Sequence, residues 1–483
     1  MHQLVRAKRS LEAEASRPSS KKRRPSSRIM STNINELPDA LLVEIFCRLP
    51  DYKSVSQCKY VSKHWYALMS GPSFVGRFLS LRSDHQQLQT NCTLISKSGD
   101  EFLNRMSSSS QPLRLLLKRI MSCYGLKEEP VVVCTYNDLV LCCATKFEQR
   151  DYYICNPYTI QWVPLPPAPQ VPHQYSPVGF ICDHPYYNSK KDDRGGGHAV
   201  QLNPEYECIV MRLIYPSDQT FSSKFKVQIF SSKTGEWKES IVSSPSVVYF
   251  YLIRLDVSFA YKGMLFWGAV REGNFLIGLD PFMINSTIST NADDTVDHYT
   301  CRFIELEQTS DHYFPLRCFG EHRDCLRMCG YNPRCRVLSV RDLTEEEIHG
   351  GSVKLCMENV KKVYLLDNGL MPTDDPVRNH VLGFDPNNDD ILYLQRYGDR
   401  DIFRCKVSTK EWSKIAEKRE IRYCLHLRLV VPLWPTPLPR LPEHAQPILS
   451  PAPAFNLRVC SKVHSNTAAE KDHEQELLDV QHH

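Results

Sequence analysis

The chain contains the run LPDALLVEIFCRLP at residues 37–50, and this run predicts how the N-terminal region folds. Pro38 has no N–H to lose and a φ that suits the first turn of a helix, and Asp39 places a negative charge at the same end. Pro50 prevents the helix from continuing. We therefore expect a short helix between the two prolines. Its apolar residues Leu41, Ile45 and Leu49 recur at steps of four, with Leu42 beside them, and so share one face.

Two more short helices are expected after this one. Ser54 is placed to cap the first, which carries Val55, and Val61, Trp65 and Leu68 recur at steps of four and three in the second. Such a module is close to the size of roughly 40 residues below which a domain needs disulfides, a metal or a partner. We therefore expect a partner to cover its apolar face. A helical hairpin that caps the next domain is the alternative.

The motif of this module resembles the F-box family. The matching residues are Leu37-Pro38, Leu41-Leu42, Ile45, Leu49-Pro50 and Val61-Ser62-Lys63-His64-Trp65. The resemblance implies that residues 32–79 form an F-box, which docks on the Skp-type linker of a cullin-based ubiquitin ligase. By the same resemblance the linker-binding residues are Leu37, Pro38, Leu41, Leu42, Ile45, Leu49, Pro50, Val55, Val61 and Trp65. The sequence departs from the family at Val55, where Leu is more usual, and at Gln57, where Arg is more usual, and we expect both to weaken this contact.

Length and composition indicate a folded protein of two or three domains. The chain has 483 residues, of which 42% are hydrophobic and 10% aromatic, enough for a substantial core. No apolar run approaches the 18 or so residues of a membrane span, and the basic N-terminus lacks the apolar segment of a signal peptide. These features predict a protein of the nucleus, the cytoplasm or both, without a membrane partner.

Positive charge is concentrated at the N-terminus. Residues 1–28 hold nine Lys or Arg against two Glu, a formal charge of +7, which leaves −3 for the rest of a chain whose total is +4. That balance argues against a surface for nucleic acid. Residues 1–31 are predicted to be disordered, because they have almost no branched apolar or aromatic residues. Two basic clusters have the layout of a two-part nuclear import signal, with a solvated basic tail as the alternative: Lys8, Arg9 and then Lys21, Lys22, Arg23, Arg24.

The cysteines indicate free thiols rather than a disulfide framework. There are 19, an odd number, and most lie within apolar runs. The tightest group is Cys318, Cys325, Cys329 and Cys335 with His312 and His322, but it lacks the Cys-x-x-Cys pair of typical zinc sites. We therefore expect neither a metal nor a cofactor.

Beyond residue 130 the sequence is typical of an all-β domain. Residues 80–129 are interpreted as a linker with the first strands, and residues 113–121 fit either a helix or a buried strand. From 130 to 431 short apolar runs alternate with turns, with strands expected at 131–133, 139–143, 152–155, 207–214, 226–230, 264–267, 275–279, 336–340, 361–365 and 391–394.

A local motif repeats in this region and predicts a β-propeller. A Trp stands three residues after a Thr in the pairs Thr159 and Trp162, Thr234 and Trp237, and Thr409 and Trp412, with Cys155, Phe230 and Cys405 four residues before each Thr. A strand, a turn and a second strand that opens on Trp produce this spacing. Repeated hairpins with an aromatic anchor are typical of propeller blades, which bury their faces only against neighbouring blades. These residues are therefore interpreted as blade-packing anchors.

The same region resembles the F-box-associated, kelch-like domain of plant F-box proteins. The matching stretches are 137–142, 155–166, 179–180, 206–213 and 227–237. At roughly 45 residues per blade, about 300 residues hold six or seven blades. The sequence departs from that family at Asp138, where Gly usually follows Asn, and at the insertion 189–198, which we interpret as an exposed flexible loop. Residues 432–483 begin with a proline-rich run and are predicted to form a disordered tail.

These features favour an α+β multidomain protein: a small three-helix F-box, then an all-β propeller-like domain, between disordered termini. The resemblance implies a non-catalytic substrate adaptor of a ubiquitin ligase, whose F-box binds the Skp-type linker and, through it, a cullin, while the propeller binds a protein substrate. An enzyme with its site in the propeller channel is disfavoured, because no Gly-x-Ser-x-Gly or His-Glu-x-x-His motif is present. A propeller scaffold or nuclear regulator outside any ubiquitin ligase is the remaining alternative.

Overall fold

A computed structural model describes the chain in segments. They are residues 34–83, 92–100, 112–145, 149–170, 176–191, 198–215, 221–250, 253–269, 275–284, 299–305, 316–322, 325–332, 337–343, 361–364, 380–388, 390–395, 401–416 and 427–445. The predicted basic tail at 1–31, with its import residues, and the part of the predicted C-terminal tail beyond 445 lie outside the described residues.

The N-terminal region forms a helical module, defined here as residues 34–83. A 3-10 turn at Ile34–Glu36 precedes four helices: α1 (Asp39–Cys47), α2 (Tyr52–Lys59), α3 (Lys63–Ser70) and α4 (Pro72–Ser83). The cap of α2 is Asp51, whose side chain accepts a hydrogen bond from the Ser54 N–H at 2.7 Å, so Ser54 is not the cap that the sequence predicted. Ser62 caps α3 in the same way.

The fourth helix is the element that the sequence pattern missed. It places Phe74, Val75, Phe78 and Leu79 against the residues buried on the first three helices. With these side chains the module has a continuous apolar core, which three helices alone do not provide.

The rest of the fold is a ring of β-sheets, each an antiparallel meander. Blade one contains β2 (Val131–Tyr136), β3 (Leu139–Cys143), β4 (Tyr152–Asn156) and β5 (Gln161–Pro164). Blade two contains β6 (Val178–Cys182), β9 (Cys208–Ile214), β10 (Phe221–Ser231) and β11 (Glu236–Tyr249), and its outer edge pairs in parallel with β15 (Tyr299–Thr300).

Three further blades follow in chain order. Blade three has β12 (Ile253–Tyr261), β13 (Met264–Ala269), β14 (Phe275–Leu279) and β16 (Arg302–Glu305). Blade four has β17 (Leu316–His322), β18 (Cys325–Asn332), β19 (Val337–Leu343) and β20 (Lys361–Tyr364). Blade five has β21 (His380–Phe384), β22 (Ile391–Gln395), β23 (Ile402–Lys406) and β24 (Glu411–Ala416).

The ring closes where the two ends of the domain meet. Strand β1 (Cys92–Ile95) pairs antiparallel with β25 (Leu427–Val430), so that Cys92 lies opposite Val430. This pair forms a sixth, two-stranded blade within the described residues, and helix α5 (Pro112–Tyr124) packs on it and on blade one. Residues 113–121, for which the sequence left helix or strand open, are thus helical. The first strands of neighbouring blades contact one another around the ring. The expected fold class, a helical module followed by a propeller-like domain, is confirmed.

The repeated Thr-x-x-Trp motif forms the last turn of three blades. In each, a four-residue turn leads into the outer strand, and the Trp lies opposite the residue at the predicted spacing: Cys155 with Trp162, Phe230 with Trp237, and Cys405 with Trp412. The residue after each Thr has a left-handed backbone, with φ of 54° at Ile160, 71° at Gly235 and 60° at Lys410. The repeat in sequence is therefore a repeat in backbone conformation.

The two ends of the insertion in blade two, which was predicted to be a flexible loop, lie in paired strands, while residues 192–197 lie outside the described residues. Strands β7 (Tyr187–Lys191) and β8 (His198–Leu202) pair as a hairpin, called here the insertion hairpin. Val200 and Leu202 alternate along β8 and, with Tyr186 and Tyr187, pack against the core of the helical module. The residues on either side of the insertion thus provide a surface of the propeller on which the module lies.

The proline-rich run after β25 also differs from the prediction of disorder. Residues 431–445, called here the C-terminal segment, lie across blades one and two, and their buried side chains include Trp434, Thr436, Leu441 and Ala445. Prolines restrict the unfolded chain, so that such a segment loses little entropy when it docks on an existing apolar surface. The sequence pattern alone shows neither that surface nor its position.

Trp434 is the point at which this segment meets the helical module. Its ring lies 5.0 Å from Tyr52, 6.0 Å from Phe74 and 5.3 Å from Phe78, measured between ring centroids. The Lys59 ammonium stands 5.0 Å from the centroid of the Trp434 ring. One indole therefore belongs to the core of the module, although it is contributed from the far end of the propeller domain.

A buried carboxylate fixes the next part of the C-terminal segment. Asp138, in the turn between β2 and β3, accepts hydrogen bonds from the Thr436 backbone N–H at 2.7 Å, from Thr436 Oγ1 at 2.5 Å and from Asn156 Nδ2 at 2.9 Å. Burial raises the pKa of Asp138, against the opposing effect of these hydrogen bonds. The neighbouring Asn137 takes the positive φ of the turn, 52°, which leaves Asp138 available for this contact.

Replacing Asp138 with Asn tests this arrangement. A raised folded-state pKa means that the folded chain binds the Asp138 proton more tightly than the unfolded chain, so this group stabilises the fold at low pH and the contribution is lost as the pH rises through the folded pKa. We expect Asp138→Asn, which needs no proton, to be more stable than the native chain at pH 7, with the difference shrinking toward pH 4. Chemical denaturation at both pH values measures the free energy of unfolding. An equal difference at both pH values contradicts the raised pKa.

Candidate functional site

The helical module exposes a set of large apolar side chains, called here the module face. They are Ile34, Leu41, Ile45, Tyr60, Val61 and Tyr66, and the exposed fractions of Leu41, Ile45 and Val61 are 52%, 44% and 62%. Soluble proteins seldom gather exposed large apolar residues in so short a segment unless a partner covers them. The module face is therefore the candidate binding site.

Helix α1 divides its apolar residues between two sides. Leu42, Phe46 and Cys47 point into the core of the module, whereas Leu41 and Ile45 are exposed. The sequence pattern placed Leu41, Leu42 and Ile45 together on one face. The step of four from Leu42 to Phe46 was the available signal for the inward side.

The structure places the ten predicted linker-binding residues in three groups. Pro38, Leu41, Ile45, Pro50 and Val61 are exposed, and Leu37 and Leu49 are half-buried at the edge of the core. Leu42, Val55 and Trp65 are buried in the module itself.

These three side chains therefore belong to the module's own core, and their contact with a partner stays a prediction. Leu42 and Val55 are 0% exposed and Trp65 is 8% exposed, and all three pack within the apolar core of the module. Val55, which stands where Leu is more usual, lies in that core, and the weaker partner contact expected from it stays a prediction. The other departure from the family pattern, Gln57, is exposed.

Ion pairs hold the helices around the module face in place. Glu44 lies 2.7 Å from Arg48 on its own helix and 3.0 Å from Arg77 on α4, and the hydrogen bonds from Arg77 and then Arg48 lower the pKa of Glu44. The Nε2 atom of His64 lies 2.9 Å from Asp39 Oδ1 and so connects the start of α3 to the start of α1. These contacts join the elements that carry Leu41, Ile45 and Val61.

One thiol of α1 is buried beneath the module face. Burial raises the pKa of Cys47 to about 11, so this thiol is protonated at neutral pH. Among the residues that the structure describes, no group of three or more His, Cys, Asp or Glu side chains is arranged to hold a metal ion. Cys318, Cys325 and Cys329 lie on β17 and β18 of blade four, while Cys335 and His312 lie outside the described residues.

The predicted blade-packing anchors divide by residue type. The Trp side chains pack on blade cores, and Trp237 Nε1 also donates to the Pro166 carbonyl at 2.9 Å. The Thr residues lie in the turns instead: Thr159 Oγ1 donates to the Asn156 carbonyl, Thr409 is exposed, and the buried Thr234 Oγ1 has no hydrogen-bond partner. The anchors are thus the tryptophans, and the threonines belong to the turn motif.

Two family models match the two parts of this structure. An F-box-like model matches residues 34–78, and a model described as F-box protein At3g26010-like, beta-propeller matches residues 112–430. The chain belongs to the family of F-box proteins with an At3g26010-like β-propeller. Among the helices that the structure describes, none combines the length and apolar character needed to cross a membrane.

Curated relatives from Arabidopsis thaliana are named as F-box proteins. A putative F-box/kelch-repeat protein, At1g15680, is 26% identical over 233 residues, which are 48% of this chain and 50% of the relative. F-box protein At5g49610 is 25% identical over 240 residues, which are 48% of this chain and 57% of the relative. F-box protein At3g26010 is 23% identical over 50% of this chain and 51% of its own. The alignments thus span about half the length of these relatives.

Proposed function

We propose that this protein is a substrate-recognition adaptor of a cullin-based ubiquitin ligase. The helical module binds the Skp-type linker, and the propeller binds a protein substrate. The observation that supports this most directly is the module face, an exposed apolar surface on an F-box-like module whose core is otherwise complete. Family membership supports a Skp-type linker as the partner, since F-box domains generally bind Skp1-type linkers.

Such an adaptor acts by position and needs no reactive group of its own. Holding a substrate lysine near an activated ubiquitin thioester raises the effective concentration of the lysine. The buried, protonated Cys47 and the hydrogen-bonded carboxylate of Glu44 fit this role, because neither is arranged as a nucleophile or a base.

The module face gives a direct test with a matched control. Leu41→Asp with Ile45→Asp places two charges in the proposed contact, and we expect linker binding to fall at least about a hundredfold, since central apolar contacts each contribute about 2 kcal/mol or more. Both side chains are exposed, so the fold should survive. Leu115→Asp, at a residue 43% exposed on α5, is the control and should bind the linker like the native chain.

Binding is measured by titrating purified Skp-type linker into each full-length variant by calorimetry, with thermal unfolding as a check on folding. Undiminished binding by Leu41→Asp with Ile45→Asp contradicts the proposed contact. Loss of binding by Leu115→Asp as well contradicts its localisation to the module face.

We also propose that the protein is present in the nucleus as well as in the cytoplasm. The support is the pair of basic clusters at Lys8-Arg9 and at residues 21–24, which lie outside the described residues. Deleting residues 1–30 from a fluorescently tagged full-length chain should lower its nuclear fraction, with replacement of the six basic residues by Ala giving the same loss. An unchanged nuclear fraction in both variants contradicts the import signal.

A further inference from the structure

A second group of large apolar side chains is exposed on blade two. It contains Phe221, Ile241, Val247 and Tyr249, whose exposed fractions are 51%, 42%, 42% and 41%, and is called here the blade-two patch. The other exposed large apolar residues among those the structure describes belong to the module face or stand on separate elements. Linker binding through the module face leaves the blade-two patch without a role.

The patch lies on a projecting end of the sheet. Strand β9 pairs with β10 only over Lys226–Ser231, so the first residues of β10 pair with β11 alone. Phe221 lies opposite Tyr249, and their ring centroids are 5.9 Å apart. The result is a two-stranded projection that ends in an aromatic pair.

The pairing of β10 with β11 is irregular between the aromatic pair and Ile241. Ser222 pairs with Val248, whereas Lys224 pairs with Ser243, so that residues 244–247 of β11 bulge out of the ladder. Val247 is part of this bulge and is exposed. Bulges of this kind bend a strand and redirect its side chains, and they are common next to functional sites.

Beside Ile241, the described charged residues nearest the patch on β10 and β11 are two lysines and one glutamate. Lys224 and Lys226 are two residues apart on β10 and both are exposed, and Lys226 lies opposite Ile241. The carboxylate of Glu239 stands 3.8 Å from Lys226 Nζ. Two cations against one anion favour a partner with carboxylates.

The patch also lies far from the helical module. The other end of β10 leads into the turn at Gly235, where an added Cβ would stand only 2.3 Å from the Cβ of Ala445 in the C-terminal segment. Ten residue steps separate Phe221 from Ser231, which at about 3.3 Å per residue is about 33 Å. The C-terminal segment, which carries Trp434 into the module, and the blade-two patch thus lie at opposite ends of β10.

We propose that the blade-two patch docks the protein substrate through a segment that combines apolar and acidic side chains. This inference rests on the proposed adaptor function and specifies its substrate surface. Phe221 and Tyr249 provide the apolar contact, because aromatic rings give large contact areas at low entropic cost, and Lys224 and Lys226 attract the carboxylates.

Three synthetic fluorescent peptides of 12 residues test the chemistry of the docked segment. The first alternates Leu or Phe with Glu, the second alternates the same apolar residues with Lys, and the third alternates Glu with Ser. Anisotropy titrations with the full-length chain should show binding of the first peptide at least about tenfold tighter than binding of the other two. Equal binding of the first and second peptides overturns the acidic preference, and equal binding of the first and third overturns the apolar contact.

Variants locate the contact on the chain. Phe221→Ser with Tyr249→Ser should weaken binding of the acidic apolar peptide at least about tenfold, and Lys224→Glu with Lys226→Glu should shift the preference to the basic apolar peptide. Leu115→Ser, which removes an exposed apolar residue from α5, is the matched control and should change nothing. Native affinity in both double variants overturns the proposal, and the lysine variant keeps the test informative if the aromatic variant folds poorly.

Two further measurements distinguish substrate docking on the blade-two patch from linker binding and from self-association. Leu41→Asp with Ile45→Asp should keep peptide binding but lose linker binding. The blade-two variants should lose peptide binding but keep linker binding. Failure of one proposal is therefore distinguishable from failure of the other. Sedimentation tests a second copy of the chain as the occupant. A dimer that forms in the native chain and disappears in Phe221→Ser with Tyr249→Ser overturns the substrate assignment.

Discussion

The insertion of Trp434 into the helical module is the interaction on which the arrangement of this protein depends. The module and the propeller are separate folding units in the sequence, yet one indole ring from the end of the propeller domain packs against Tyr52, Phe74 and Phe78 of the module. Burying a Trp in such a core stabilises it by about 3–5 kcal/mol relative to Ala. The insertion hairpin adds Val200 and Leu202 to the same core. Two separate segments of the propeller domain thus pack on the core of the module.

This contact determines where the surfaces of the protein lie. The C-terminal segment leaves β25 at the closure of the ring, inserts Trp434, and continues over Asp138 and the turn at Gly235. The module is therefore on the side of the ring that carries these turns, and the projecting end of blade two is on the other. An adaptor that holds a substrate at a defined distance from a linker needs such an arrangement, because a flexible tether lowers the effective concentration as its length grows.

The sequence predicts the parts of this fold that depend on local pattern. The prolines at positions 38 and 50 flank the first helix, and the Thr-x-x-Trp spacing predicts a strand, a turn and a strand that opens on Trp, which the structure shows in three blades. The apolar spacing of α1 was less informative, because Leu41 and Leu42 are adjacent in sequence and only the tertiary packing separates the exposed one from the buried one.

The contacts between distant segments are the part that local pattern does not reveal. Residues 432–445 have the composition of a disordered tail, yet their buried side chains pack on surfaces that come from elsewhere in the chain. The residues that flank the insertion at 189–198 likewise pack on the helical module. Asp138 was recognisable as a departure from the expected glycine, but its partner, Thr436, lies 298 residues further along the chain. Contacts between residues so far apart in sequence form only when the ring of blades has closed, so no local sequence pattern indicates them.

A distance measurement between the two units tests the central claim most directly. Spin labels on unnatural amino acids at two exposed positions, Gln57 on α2 and Lys410 in the last turn of blade five, report the placement of the module on the propeller without use of the native thiols. Pulsed electron paramagnetic resonance on the full-length chain should give one narrow distribution of distances between the two labels. Trp434→Phe should preserve this narrow distribution, and Trp434→Ala should broaden it. A distribution that stays equally narrow in Trp434→Ala, or that is already broad in the native chain, would contradict the claim that Trp434 fixes the module on the propeller.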